Sequence, residues 1–320
     1  MKNQFANFAV VIFLTTIANP TFAQAFPKEQ CSLAVVSRDL DKDQKVCASD
    51  VVRDMAKRGH AYQENQMGIA SVLALGPGFR DQDALHWFEQ AAQRGYAPAQ
   101  VNLAVMYANG WAVERNYGTA LRWLRSAADQ GFARASYNLG ILYLEGRGVA
   151  EDNMEAFRWF TKGAEAGDPG AQSNLGYMYD RGLGCAHNIA TAVAWYRKAA
   201  EAGDALGENN LADLYLRGEG VTRDYAEALR WFEKAAAQGN TGARIKLGYM
   251  QANGLGTPKD PEAAYAWVTA ASLAGDARGE YLIPALETLL QPEKVSAARE
   301  RARKLLSETG QEFSAKAFTP

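Results

Sequence analysis

The chain has 320 residues, room for one large domain, two smaller ones or an array of repeats. A composition of 48% hydrophobic and 22% charged residues is that of a globular protein. A formal net charge of -2 leaves no basic excess to hold a phosphate backbone, which argues against a nucleic-acid partner.

The first stretch reads as a targeting segment. Lys2 gives a weakly positive start, Phe8 to Ile17 is apolar, and Pro20 breaks the run before Thr21-Phe22-Ala23. This pattern predicts a secretory signal, residues 1–23, cleaved near Ala23 with Ala25 as the alternative. The apolar run is too short to span a bilayer, and no later segment is long and apolar enough. The expected product is a periplasmic or secreted protein that leaves the membrane after cleavage. Export changes the meaning of the cysteines. Cys31 and Cys47 stand close together and could bridge in an oxidising compartment, stapling the segment 24–60, while Cys185 would be left alone.

From residue 61 the sequence repeats. Trp87, Trp123, Trp159, Trp195, Trp231 and Trp267 are each 36 positions apart, and the series Gly95 to Gly275 and Ala84 to Ala264 keep the same step. Three ladders in one register define six units: 61–96, 97–132, 133–168, 169–204, 205–240 and 241–276. Each unit reads as two helices. In 205–240, Asn210, Leu211, Leu214 and Tyr215 form a stripe at three- and four-residue spacing, and Gly218 and Gly220 end it. Asp224 with Glu227 is a capping-box arrangement that opens the second helix, repeated by Asp152 with Glu155. Asp260 followed by Pro261 opens the last one. Ala228, Leu229, Trp231, Phe232 and Ala235 then turn to the core.

One hairpin cannot bury its apolar side alone, so the units must stack. A ladder of small residues (Gly68, Ala104, Gly140, Gly176, Ala212 and Gly248) is expected where paired helices approach most closely. The tryptophans are expected to fill space between successive hairpins.

Asn138-Leu139-Gly140, Tyr143, Gly146-x-Gly148-Val149, Ala156, Trp159, Ala164 and Gly167 resemble the Sel1-like repeat. Leu211, Tyr215, Gly218, Gly220, Val221, Asp224, Ala228, Trp231 and Gly239 repeat the resemblance. It covers roughly 61–276. Unit 61–96 departs from it, with Ser71 for the tyrosine and Gly76-Pro77-Gly78 in the loop, and Gln251 breaks the tyrosine ladder at the other end. The resemblance implies an all-α fold, a right-handed superhelical α-solenoid of tandem helix-turn-helix repeats with helical caps. Val51, Val52, Met55 and Ala56 before Gly59 suggest a worn half-repeat within 24–60. After Gly275, Tyr281, Leu282, Leu286 and Leu289 predict one more packing helix, and Gln291-Pro292-Glu293 opens another. The surface of that last helix carries Arg299, Arg301, Arg303 and Lys304, so 277–308 reads as a polar cap and 309–320 as a flexible tail.

Motifs of catalysis are missing. His60, His86 and His187 fall in different units without metal-ligand spacing, and no nucleophile elbow or phosphate-binding loop occurs. The glycine loops recur once per unit, which marks architecture rather than a cofactor cradle. Cys185 stands in an inter-helix loop where other units carry Val or Thr, and reads as inert or as a reactive thiol. No enzyme activity, cofactor or metal is expected.

The Sel1-like resemblance implies that the first helix of each hairpin lines a concave groove. Three rows would then face a partner: Val105, Ile141, Tyr177, Asp213 and Tyr249; Val101, Tyr137, Ser173, Asn209 and Ile245; and Ala108, Leu144, Asp180, Leu216 and Ala252. Either they meet a partner or several of them pack between helices. Asn102, Asn138, Asn174 and Asn210 are expected to bond to neighbouring backbone. Trp111 fills a loop position that is Arg147, Leu183, Glu219 and Leu255 in later units, as a local lid or as an exposed hot spot.

The resemblance therefore points to an exported, monomeric scaffold that binds a protein. One form of that role is an immunity protein neutralising a secreted, phospholipase-like effector of a type VI system. Cysteine-rich relatives resemble β-lactam-binding or weakly hydrolysing proteins, but they carry a cysteine pair per repeat, and the six units here hold one cysteine in total.

Overall fold

The computed structural model describes residues 60–72 and 81–308. The signal segment, the Cys31–Cys47 bridge, the worn half-repeat, the Gly76-Pro77-Gly78 loop and the tail 309–320 lie outside the described residues. Among the described residues the chain forms fourteen helices and no strand. They fall in two compact units, 1–152 and 153–320.

The first unit holds α1 (Ala61–Val72), α2 (Asp81–Gln93), α3 (Ala97–Asn109), α4 (Tyr117–Asp129) and α5 (Ala133–Glu145). α1 pairs with α2 and α3 with α4, and α3 and α5 stack onto the preceding hairpins. The second unit holds α6 (Asn153–Glu165), α7 (Pro169–Arg181), α8 (Ile189–Glu201), α9 (Ala205–Arg217), α10 (Tyr225–Ala237), α11 (Thr241–Asn253), α12 (Pro261–Leu273), α13 (Ala277–Glu287) and α14 (Pro292–Glu308). Here α7–α8, α9–α10 and α11–α12 are hairpins, and α13 and α14 both pack on α12.

The small-residue ladder sits where the pairs touch. A Cβ built on Gly176 would lie 2.7 Å from the Tyr196 ring, and one on Gly248 would lie 2.5 Å from the Val268 side chain. Both distances are below van der Waals contact, so a larger residue must separate the helices. Phe88, Tyr196 and Val268 stand opposite Gly68, Gly176 and Gly248, and with Leu124, Phe160 and Phe232 they form a bulky ladder of residues each at most 2% exposed. These residues are the true wedges between the helices. The tryptophans, one position earlier, are half-buried apart from Trp231, with Trp123 and Trp267 against the core clusters. Their outer faces carry cations. The Lys198 ammonium lies 4.1 Å from the Trp195 ring centre, and Arg230 and Lys234 lie 4.6 and 4.1 Å from that of Trp231. Trp231, at 6% exposure, is enclosed, whereas the half-buried indoles cover the core edge rather than filling its centre.

The turn between paired helices is fixed by backbone. The first helices α3, α5, α7, α9 and α11 each end on a left-handed glycine, as at Gly146 and Gly218. The N–H of the next helix's cap residue then returns to the carbonyl at the tyrosine position: Asn116 to Tyr107, Asp152 to Tyr143, Asn188 to Tyr179, Asp224 to Tyr215 and Asp260 to Gln251. That bond explains why Gln251 is tolerated, because only its main chain is needed. It also corrects the capping-box reading. Asp224 does accept from the Ala226 and Glu227 N–H groups, but its own N–H is already bonded, and the Glu227 carboxylate accepts from Arg230 and Trp231 instead.

At the C-terminal end the expectation is half right. Leu282 and Leu286 pack against Ile245, Val268 and Ala271, but Tyr281 is 85% exposed and Leu289 is 58% exposed. Arg299 is not a merely solvated residue. It donates to Tyr265 and Glu287, and Tyr265 donates to Glu287, tying α14 to α12 and α13. These bonds hold the Glu287 carboxyl below its usual range.

Candidate functional site

In the first unit, α5 carries Tyr137, Ile141 and Leu144, all half-buried. The Arg134 guanidinium lies over Tyr137, 4.9 Å from the ring centre, which orients the phenol and places a cation on its face. Val101 and Val105 on α3 were expected on the same face and are buried instead, at 5% and 7% exposure. Trp111 lies in the loop after α3, where its N–H donates to the Met106 carbonyl and closes the helix. Its indole is 38% exposed, the level of a surface aromatic. The residue after it, Ala112, holds a left-handed φ of 59°, at the position of Gly184, Gly220 and Gly256 in later repeats.

In the second unit, α7 places Tyr177 and Asp180, α9 places Asp213 and Leu216, and α11 places Tyr249. Tyr177 and Leu216 are partly buried against the core of α8–α11, so each gives only one side to solvent. Tyr249 stands 54% exposed. Ser173 and Ile245, also expected on this face, are buried. The Ser173 hydroxyl donates to Asp204, and Ile245 is covered by α13.

The carboxylates on this face are already neutralised. Asp213 pairs with Arg217 of its own helix and with Lys246 of α11, both at 2.8 Å, and Arg217 also meets Glu219. Asp180 has Arg181 at 3.6 Å. Asp213 therefore links successive hairpins as well as facing outward. A network held on two helices is prearranged, and prearranged polar groups cost less entropy when a partner docks.

The asparagine ladder does not behave uniformly. Asn174 donates to the Gly170 carbonyl as expected. Asn102 donates to the Asn65 side chain, and Asn210 accepts from Asn209, so at these two the partner is another side chain. Cys185 is half-buried with its Sγ 3.6 Å from the Met178 carbonyl, and burial pushes the thiol pKa up. Less thiolate means less reactivity, which favours the inert reading. Other shifted acids are moved first by burial inside hairpins, as at Glu145, Tyr196 and Glu208. Among the described residues no three potential metal ligands cluster, and no helix is long and apolar enough to cross a membrane.

One feature escaped the sequence reading. Ile245, Ala277, Arg278, Tyr281 and Leu282 line an open apolar groove of about 470 Å³ between α11 and α13. The signal was present: Tyr281 lies 36 residues after Ile245, so extending the row by one step would have reached it.

Helical hairpins of constant length, stacked in register and free of strands, define an α-solenoid repeat protein. The chain belongs to the Sel1 repeat family, whose model matches residues 77–96, 97–132, 133–168, 169–204, 205–240 and 242–276. The match begins only at 77, in keeping with the irregular first half of unit 61–96. A Sel1 repeat protein from Oxalobacter formigenes is similar at 30% identity and a TM-score of 0.67, over 72% of this chain and 94% of that one. A protective antigen of uropathogenic Escherichia coli, c5321, is similar at 29% identity and a TM-score of 0.59, over 86% of this chain and 68% of that one. The Pseudomonas aeruginosa immunity protein PA5088 aligns at 18% identity and a TM-score of 0.49, over 79% and 85%, too distant for its role to be transferred. No curated protein matches the chain. Sel1 repeats generally mediate contacts between proteins, and the family is typically a non-catalytic scaffold.

Proposed function

We propose that this chain is an exported scaffold, and that it captures a partner protein on the first-helix face of its second unit. The observation that carries the reading is Tyr249, an exposed aromatic on α11, the helix whose Lys246 joins Asp213 and Arg217 in one ion-pair network. Rigid aromatics flanked by prearranged charge are the groups interfaces use as anchors. Tyr177 contributes a second, half-covered ring with Arg181 beside it. In the first unit, Trp111 is a separate candidate anchor.

A photo-crosslinking residue in place of Tyr249, in the intact chain expressed with its signal, tests this directly. One discrete protein adduct is expected from the cell envelope, and Tyr177→Ala should reduce its yield. Adducts that are diffuse and unchanged by Tyr177→Ala would overturn the assignment. The narrower form, an immunity protein, requires the captured partner to be a toxic lipase-like effector that the purified chain inhibits. A hydrolytic role is tested with nitrocefin, which is expected to stay uncleaved.

A further inference from the structure

We infer that the partner of the second unit presents an acidic peptide segment with an apolar residue in it. Its carboxylates meet Lys246, Arg217 and Arg278, and its apolar side chain enters the groove beside Tyr281. The inference rests on the partner-binding reading above and adds the chemistry of the partner.

Charge on this face is layered. The side chains of Asp180 and Asp276 are 12% and 10% exposed, beneath Arg181 and Arg278 at 58% and 52%. Asp213 is 24% exposed, beneath Arg217 at 36% and Lys246 at 40%. Long cationic stems fold over short acids and keep their heads in water. The outer layer of these pairs is therefore positive. A partner carboxylate reaches it directly, whereas a partner ammonium must displace a cation to find the acid below. Glu219 departs from this order: it is 49% exposed and meets Arg217 from the loop after α9. Glu280 stands at the repeat position of Arg244 and Glu208, outside the rows of this face.

The cations and the apolar groove form one surface. A Cβ built on Gly242 would lie 3.6 Å from both the Arg278 guanidinium and the Asn209 amide oxygen, so α9 and α13 meet over α11 there. Lys246 follows one turn along α11, and Tyr249, 54% exposed, is three residues beyond it. Arg278 grips Asp276 with two donors, Nε at 2.9 Å and Nη2 at 2.7 Å, which fixes its plane and leaves its other donors to a ligand. The same side chain lines the groove with Ile245, Ala277, Tyr281 and Leu282. An apolar pocket and a held cation thus share one wall, and Tyr281 stands 85% exposed beside them. A phosphate polymer fits less well. It offers nothing to the apolar groove, and each of these four cations already holds a carboxylate that would repel a dense run of phosphates. Spaced Asp or Glu residues alternating with apolar ones match both features.

A random peptide library selected on the purified chain tests the inference. Enriched peptides are expected to carry an excess of Asp and Glu with an apolar residue among them. With one such peptide synthesised and labelled, fluorescence anisotropy should show on the order of tenfold weaker binding to Lys246→Gln and to Tyr281→Ser. Both side chains reach solvent and Asp213 keeps Arg217, so the fold should survive, which circular dichroism checks. Lys246→Arg should restore affinity, and added salt should lower it. Enrichment of basic or uncharged peptides whose binding Tyr249→Ala weakens would overturn the acidic partner while the partner-binding reading stands. Peptides indifferent to all three substitutions, or no enrichment, would overturn both. Phosphatidylglycerol vesicles bound through Lys246, without selection of acidic peptides, would assign the face to a lipid surface instead.

Discussion

The two units start their first helices differently. In the second unit, Asp168, Asp204, Asn240 and Asp276 each accept from an N–H group in the first turn of the helix they precede. In the first unit the same repeat position is Tyr96 or Phe132, with no side-chain cap. Tyr96 packs instead, half-buried against the α2–α3 core and edge-on to Tyr62. One position thus serves hydrogen bonding in one unit and apolar burial in the other. A cap satisfies N–H groups that otherwise need water, whereas an aromatic ring gains contact area and leaves them to solvent. The second unit therefore holds its helix starts locally, and the first relies more on contacts between hairpins. The Tyr62–Tyr96 edge contact is one that joins successive hairpins, whereas the Arg94–Glu64 pair at 3.1 Å and the Gln130–Gln100 bond at 2.9 Å each close a single hairpin.

The largest test disregards that distinction. Gly176→Val should cost about 3 kcal/mol, the upper range for overpacking, because its Cβ already lands on Tyr196. Chemical denaturation would read this as a lower midpoint, and a loss below about 1 kcal/mol would mean that the helices can part cheaply.

Capping comes next. Asp204→Ala should cost about 1–2 kcal/mol, since Asp204 accepts from both the Gly207 N–H and the Ser173 hydroxyl. If Tyr96→Ser, which exchanges a packed ring for a capping hydroxyl, is stabilising, the proposed trade between burial and capping is wrong.

The loops separate one repeat from the others, since Ala112 stands where Gly148, Gly184, Gly220 and Gly256 are left-handed glycines. Ala112→Gly should stabilise by about 0.5–1 kcal/mol, because a left-handed alanine is strained. Gly220→Ala should do the reverse, with its Cβ 2.8 Å from Ile189. A shared sign in thermal melts would remove backbone strain as the cause.

A smaller effect depends on pH. Glu208 is only 3% exposed and accepts from Gln238 at 2.7 Å. Burial, aided by Asp204, raises its pKa above the ordinary value of 4.5, against the lowering effects of the Gln238 bond and Lys234. A raised folded-state pKa means the folded chain prefers the protonated form. This group's contribution is therefore complete below the unfolded pKa and fades as pH rises through the folded one. Glu208→Gln should thus gain on the wild type as pH rises from 4 to 7, read from denaturation midpoints at each pH. Smallest of all, Cys185→Val should leave the midpoint within about 0.5 kcal/mol, as Val113, Val149 and Val221 fill that position elsewhere.

Much of this was legible in the residues. Identical spacing of Trp, Gly and Ala fixes helix length, turn position and the existence of stacked hairpins, because each signal is local and recurs. The glycine ladder even located the closest helix contacts, since only a missing side chain explains small residues in register. Orientation around the helix was harder to read. Val101, Val105 and Ile245 lie in rows that also contain half-buried or exposed residues, and whether a row position is covered depends on the neighbouring hairpin. The tryptophans misled for the same reason: size and recurrence suggest a core, but the radial depth of a side chain is set by the helix opposite. Tyr281 and Ile245 share one repeat position and differ in exposure only because α13 lies over one of them. The sequence determined what repeats and how far apart. Tertiary packing alone decided which of the repeated surfaces remain open, because burial belongs to a pair of helices and not to either one.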